Sequence, residues 1–185
     1  LDVEYYYTDF VKQVVCDMDN KPHEVQFYNL DGDSYSHVIQ AEATYELFPR
    51  LNLTAAYRHT ISKTTYKNLG TVDKPLTSKY KALLTMGYET EGKDKWQFDI
   101  TSHLNGGGRM PKAYQTTDGT RSWDERYDAF YQLSAQITKN IGKWAIYVGG
   151  ENLTNYKQEN AIINAKKADN NFFIFSSWIW SDVIL

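Results

Sequence analysis

Apolar and polar residues alternate along most of this 185-residue chain. Between Lys79 and Thr90, one set of alternate positions is apolar, and the other carries Lys, Thr, Gly and Glu. Successive side chains of a β-strand point to opposite faces, so the alternation predicts strands with one apolar and one polar face. The pattern predicts eight strands, near residues 1–7, 39–47, 51–58, 79–90, 96–104, 129–138, 144–148 and 174–180.

Aromatic residues stand at the ends of the apolar faces rather than in their middle. Tyr80 and Tyr88 are eight positions apart in the sequence, about 26 Å along a strand that rises roughly 3.3 Å per residue. A tilt of about 40° makes that roughly 20 Å vertically, close to the ~25 Å apolar band of an outer-membrane barrel. Aromatic residues are 15 % of the chain, a content that suits a boundary between water and lipid. The spacing favours a bilayer over a soluble sandwich.

The connections between the expected strands alternate in length. Three are tight turns with Pro, Gly or Asn, at 48–50, 91–94 and 140–142. The others are long and polar, roughly at 16–23, 62–78, 105–127 and 152–171. Short turns at one rim and long loops at the other are typical of outer-membrane barrels.

Composition excludes several classes of protein. The net charge of −3 gives no electrostatic basis for binding nucleic acid. No apolar run approaches the length of a transmembrane helix. A mean hydropathy of −0.59 suits a soluble protein or a membrane barrel equally, because barrels place apolar residues only at alternate positions. The single cysteine, Cys16, excludes a disulfide within the chain.

Neither catalysis nor a metal or cofactor site is indicated by the residue pattern. The four histidines are scattered, and none has the spacing of paired metal ligands. The segment from Asp31 to Ser34 lacks most oxygen positions of a calcium loop and is better explained as a bend. Gly106 to Gly108 is followed by neither the Lys-Ser/Thr pair nor the helix of a phosphate loop. We therefore expect a protein that is not an enzyme.

Two sets of residues are candidates for contact with a ligand. The polar strand faces predict a water-filled barrel lumen. These residues would contact a plug or a passing solute, or they are polar only because every such lumen is polar. The residues of these faces are Gln40, Glu42, Thr44, Arg58, Gln97, Asp99, Gln132 and Gln136. The long loop after residue 104 mixes cationic donors with aromatic rings, which suits an anionic or ring-bearing small molecule, although solvated loops share that composition. Its candidates are Arg109, Tyr114, Arg121, Trp123 and Arg126.

Three segments resemble one known family in their order and spacing. They are FYNLDGDSYSHVIQAEATYEL at 27–47, HLNGGGRMP at 103–111 and ENLTNYKQENAIINA at 151–165. They are similar to the C-terminal part of the barrel in TonB-dependent outer-membrane receptors, particularly those of Bacteroidetes-type bacteria. The resemblance implies a wall segment of a 22-stranded barrel in the bacterial outer membrane, filled by an N-terminal plug and energised by TonB. Siderophores, haem, corrinoids and glycans are the substrates that it implies.

The sequence departs from that family at both ends. The plug and the TonB-contacting segment are expected upstream of Leu1, and SSWIWSDVIL at 176–185 stands where a turn and a last strand are expected. We therefore expect residues 1–185 to form one all-β, antiparallel, up-and-down transmembrane β-barrel segment of about eight strands, open or incomplete. Its partners would be outer-membrane lipid, the plug and the rest of the barrel. Two alternatives are a self-contained eight-stranded outer-membrane barrel with a structural or adhesive role, and a soluble lipocalin-like barrel.

Overall fold

The chain folds into β-strands. The computed structural model describes residues 1–21, 24–113 and 123–157. Within these ranges, no helix is long and apolar enough to cross a bilayer. The strands are β1 (Asp2–Asp9), β2 (Val14–Asp17), β3 (Gln26–Asn29), β4 (Ser34–Phe48), β5 (Leu51–Tyr66), β6 (Gly70–Asp73), β7 (Tyr80–Glu89), β8 (Trp96–Asn105), β9 (Gly108–Arg109), β10 (Arg126–Tyr127), β11 (Phe130–Ile141) and β12 (Trp144–Gly150). The prediction of an all-β fold is confirmed.

One antiparallel sheet contains the long strands. They follow one another across it in the order β1-β4-β5-β7-β8-β11-β12, and β6 adds to the end of β5. β1 and β12 are the edges of the sheet in the part of the chain that the structure describes, so this part is open rather than a closed barrel. Seven of the predicted strands are present in this order. The eighth, at 174–180, lies outside the described residues.

The two rims of the sheet differ as the connection lengths predict. Turns join β4 to β5, β7 to β8 and β11 to β12 at one edge, which we call the short-turn rim. Arg50, Gly92 and Gly142 adopt positive φ values of 69°, 103° and 60° in these turns. The longer connections all lie at the opposite edge, the long-loop rim. This asymmetry confirms the prediction.

The long connections contain strands where the sequence predicts loops. β5 continues to Tyr66 and pairs there with β6, although 62–78 is a predicted loop. β2 pairs with β3, and β9 with β10, as separate two-stranded sheets. Each of these added strands has two to four residues. Segments this short contain too few alternations to be recognised by their period.

The small hydrophobic core lies at the long-loop rim. Val15, Leu30 and Tyr66 are buried together, and Tyr28 and Val72 pack against them. We call these five residues the rim cluster. Among the described residues, Met110 is the only other buried hydrophobic side chain, and it also lies in the loop region. The long strands therefore contribute almost nothing to a conventional core.

The face of the sheet that carries the apolar residues is exposed, and we call it the apolar face. In β7, the apolar Leu84 and Tyr88 are 46 % and 42 % exposed, whereas Thr85 on the opposite, polar face is half-buried. β8 repeats this pattern, with Phe98 exposed at 39 %. Other large side chains exposed on the apolar face are Ile39, Tyr45, Met86, Trp96, Ile100, Ile137, Ile146 and Val148. No second layer of the described residues covers this face.

Gly108 has little room for an added methyl group. A Cβ there would lie 2.5 Å from the Thr77 carbonyl oxygen. We expect Gly108→Ala to separate β9 from the β6–β7 connection and to lower the free energy of unfolding by about 1–3 kcal/mol. Urea unfolding followed by circular dichroism measures this. Gly70→Asn is the matched control, because Gly70 has open space around it and asparagine tolerates its positive φ.

Candidate ligand-binding site

The predicted lumen residues all lie on the polar face. Strand pairing places Gln40 opposite Arg58, and Arg58 opposite Lys81. Farther along the sheet, Asp99 pairs with Gly87 on one side and with Gln136 on the other. The same registers place Glu42, Thr44, Gln97 and Gln132 on this face. Their common placement is established, whereas the existence of a lumen remains a prediction.

Threonine hydroxyl groups form hydrogen bonds with one another in the middle of the polar face. Thr44 and Thr54 share a hydrogen bond of 3.0 Å, and Thr85 and Thr101 share one of 3.3 Å, in a row that crosses the sheet. These paired hydroxyls give the face a polar but uncharged belt. The charged and amide side chains lie on either side of it.

Between the belt and the long-loop rim lies a cleft of about 300 Å³, which we call the polar cleft. Acidic residues of β1 and β4 line one side of it, namely Asp2, Glu4 and Glu42. Arg58 of β5 and Lys81 of β7 line the other. Gln40 lies between the two groups and donates a hydrogen bond to the Glu4 carboxylate. The cleft can therefore attract opposite charges at its two sides.

A larger cavity of about 820 Å³ opens at the long-loop rim, and we call it the rim cavity. Two predicted ligand residues, Trp123 and Arg126, line it. So do Phe130 and Tyr156, whose rings stack in parallel with centroids 4.6 Å apart. The Trp123 indole nitrogen donates to the Pro111 carbonyl oxygen at 2.8 Å, which fixes the ring at the wall. Aromatic and cationic groups thus lie together as the loop composition predicts.

Lys81 and Asn105 line both the polar cleft and the rim cavity. They are neighbours in the register of β7 and β8. The two spaces are therefore adjacent at this pair of residues. Sequence reasoning omitted Lys81, Asn105, Glu4 and Asp2 from the site. Their positions in the strand alternation place them on the polar face, but the cleft depends on long-range pairing.

Arg109 has a structural role. Its guanidinium donates to both carboxylate oxygens of Asp19, at 3.0 and 2.8 Å, and its Nε donates to the Asp73 carbonyl oxygen at 2.6 Å. The Asp19 side chain is 0 % exposed and also accepts the Lys112 backbone N–H at 2.6 Å. Arg109 thus joins three loops and does not line the rim cavity. Tyr114 and Arg121 lie outside the described residues.

Asp17 organises the neighbouring turn. It accepts the backbone N–H groups of Asp19 and Asn20 at 2.9 and 3.2 Å, and the Tyr28 hydroxyl at 2.8 Å. Burial, followed by the hydrogen bond to Asp17, raises the pKa of Tyr28. Burial also raises the pKa of Tyr66, to about 12. The rim is therefore held by neutral phenols and a buried ion pair.

Among the described residues, no group of three His, Cys, Asp or Glu side chains is arranged to hold a metal ion. Comparisons of the whole chain with family models, curated proteins and solved structures found no match. The geometry described above is therefore the basis for the function proposed below.

Removing Arg109 should loosen the long-loop rim. Arg109→Ala leaves the buried Asp19 carboxylate without its ion partner, which costs about 3–5 kcal/mol. We expect faster amide hydrogen exchange in the segments around Asp19 and Lys112. Lys21→Ala is the control, because the Lys21–Glu24 pair is exposed and solvent screening leaves it little effect on stability. Equal exchange in the two variants would contradict the structural role of Arg109.

Tyr66 should make the rim sensitive to high pH. Its folded pKa of about 12 is above the ordinary 10.0, so the stability from keeping it neutral is complete below pH 10 and is lost as the pH rises through 12. We expect Tyr66→Phe to remove the latest-titrating phenol from an ultraviolet absorbance titration of the folded protein. In urea, the same substitution should remove an ordinary phenol instead. Loss of an ordinary phenol in both conditions would contradict the burial of Tyr66.

Proposed function

We propose that this chain is part of the wall of an outer-membrane β-barrel, the C-terminal barrel segment of a TonB-dependent receptor that takes up a scarce nutrient. The observation that carries the proposal is the apolar face, which is exposed along every long strand from β4 to β12. Burying apolar surface contributes about 25 cal/mol per Å². An exposed apolar patch of more than a few hundred Å² marks a contact with a protein or a membrane.

Aromatic side chains border the apolar face as they do at a membrane interface. Near the short-turn rim, Phe98 stacks with Tyr88 and Trp96 at centroid distances of 6.5 and 6.3 Å. Lys139 lies 4.7 Å from the centre of the Trp96 ring, and its ammonium donates to the Asp94 carbonyl oxygen at 3.0 Å. Such a lysine covers apolar surface while its charge reaches the polar rim. This arrangement supports a lipid boundary at the short-turn rim.

A second aromatic group lies toward the long-loop rim. Tyr7 and Tyr35 contact the His37 ring at centroid distances of 4.9 and 5.4 Å, and the Tyr5 hydroxyl hydrogen-bonds to His37 Nδ1 at 2.7 Å. Tyrosine and histidine combine an apolar ring with a polar tip, which suits the depth of the lipid headgroups. The two aromatic groups support a membrane band between the rims.

Among the described strands, β1 and β12 are unpaired edges, and this supports a larger barrel. Hydrocarbon does not tolerate unpaired strand edges, because no water is present to satisfy their backbone groups. Our proposal therefore includes further barrel strands, a plug against the polar face, and TonB acting through that plug. The rim cavity and the polar cleft would meet the incoming small molecule. A lipocalin-like barrel instead needs its apolar faces inside, and the exposure of Leu84 and Phe98 does not favour it.

Adjacent residues of β8 give a direct test of membrane orientation. In a Cys16→Ser background, Phe98→Cys places a thiol on the apolar face and Asp99→Cys places one on the polar face. We expect a fluorescent label at position 98, but not at 99, to be quenched strongly by brominated lipids in vesicles. Quenching is the measurement because it reports contact with acyl chains.

Leu84→Cys and Thr85→Cys are the matched pair on β7. A membrane wall requires the same alternation there, with position 84 in contact with lipid and position 85 shielded. The proposed function would be wrong if the two labels within each pair were quenched equally. It would also be wrong if the protein stayed soluble and monomeric without detergent.

A further inference from the structure

We propose that the polar cleft binds a short peptide through its two termini, with the ammonium group at the acidic side and the carboxylate at the basic side. This inference rests on the proposed function and assigns a ligand class to the polar face. Asp2, Glu4 and Glu42 would receive the ammonium group, and Arg58 and Lys81 the carboxylate. A guanidinium and an ammonium side by side are strong donors to a carboxylate.

Among the described residues, the basic residues of the cleft have no acidic partner. In the structure of residues 1–21, 24–113 and 123–157, neither Arg58 nor Lys81 forms an ion pair. The two residues are directly opposite each other in the register of β5 and β7. Two like charges on adjacent strands destabilise the pair unless an anion lies between them. A carboxylate of the ligand supplies that anion.

The acidic side is similarly concentrated. Asp2 pairs directly with Glu42, and Glu4 pairs with Gln40 two residues along the same strands. Asp2 and Glu42 have no cationic partner in the described part of the chain. An ammonium group between these carboxylates would relieve their repulsion.

The separation of the two sides selects the length of the ligand. Glu4, Gln40 and Arg58 lie in one row on β1, β4 and β5. Two strand spacings of about 4.8 Å place the backbones of Glu4 and Arg58 roughly 10 Å apart. An extended chain advances about 3.3 Å per residue, so a peptide of about three residues spans this distance. A single amino acid is too short to engage both ends.

The shape of the site favours a small ligand over a protein surface. The charges line a recess of about 300 Å³ rather than a flat face, a volume at the lower end of small-molecule pockets. The recess and the rim cavity share Lys81 and Asn105 as wall residues. An extended peptide would enter from this side, and Gln40 between the charged ends would hydrogen-bond to its backbone.

Calorimetry with capped peptides tests the inference. We would titrate the full chain, folded in detergent micelles at neutral pH, with trialanine, N-acetyl-trialanine and trialanine amide. Trialanine carries both charges, and each of the other two lacks one. We expect trialanine to bind at least about tenfold more tightly than either capped peptide, because each cap removes one charged contact.

Two pairs of substitutions assign the ends. In Arg58→Gln/Lys81→Gln, trialanine should bind about tenfold more weakly and the amide should be unaffected. In Glu4→Gln/Glu42→Gln, trialanine should again bind more weakly, whereas the affinity of N-acetyl-trialanine should not change. Asn52→Asp is a control, because it adds a charge to the polar face on the far side of the threonine belt from the cleft.

The outcomes separate this inference from the proposed function. If the Phe98→Cys and Asp99→Cys labels show the expected lipid contacts but trialanine does not bind, the membrane role stands and the peptide site is wrong. Equal binding of the three peptides, or binding unchanged by both pairs of substitutions, would also overturn the inference. A cleft that instead contacts only a polypeptide surface would give no saturable binding of trialanine.

Discussion

A β-sheet satisfies its backbone through hydrogen bonds between strands, but its apolar side chains still need an apolar neighbour. In this chain the long strands have that need along one entire face, because the described residues supply no second layer. The buried apolar residues lie instead at the long-loop rim. The surroundings of the apolar face therefore determine whether the sheet is stable, and a bilayer meets the requirement without further protein.

The polar face and the long-loop rim position the two candidate binding spaces. The sheet holds the charged residues of the polar cleft at separations set by strand spacing, with the threonine belt as a neutral boundary. The rim holds the aromatic cavity next to them through contacts among loops. Lys81 lines both spaces, so the polar cleft and the rim cavity have a wall residue in common.

Local pattern was enough to predict the long strands, the turns and the face on which each strand residue lies. The alternation of Leu84 with Thr85 is visible in the sequence because it repeats every second residue. The short rim strands have no such repetition. The role of Arg109 depends on Asp19, 90 positions away, and no local pattern identifies that partner. The composition of their own loop was enough to propose Trp123 and Arg126. The cleft residue Lys81 was missed because the cleft depends on pairing between strands that are distant in sequence.

The Asp19–Arg109 pair also has a consequence for the order of folding. Long strands that are neighbours in the sheet are mostly neighbours in sequence, so hairpins can form one after another with short loop closures. The ion pair instead closes a loop of 90 positions, so we expect its two residues to approach after β4, β5, β7 and β8 have paired. We therefore expect the contacts of the long-loop rim to form late in folding, once the intervening strands are in register.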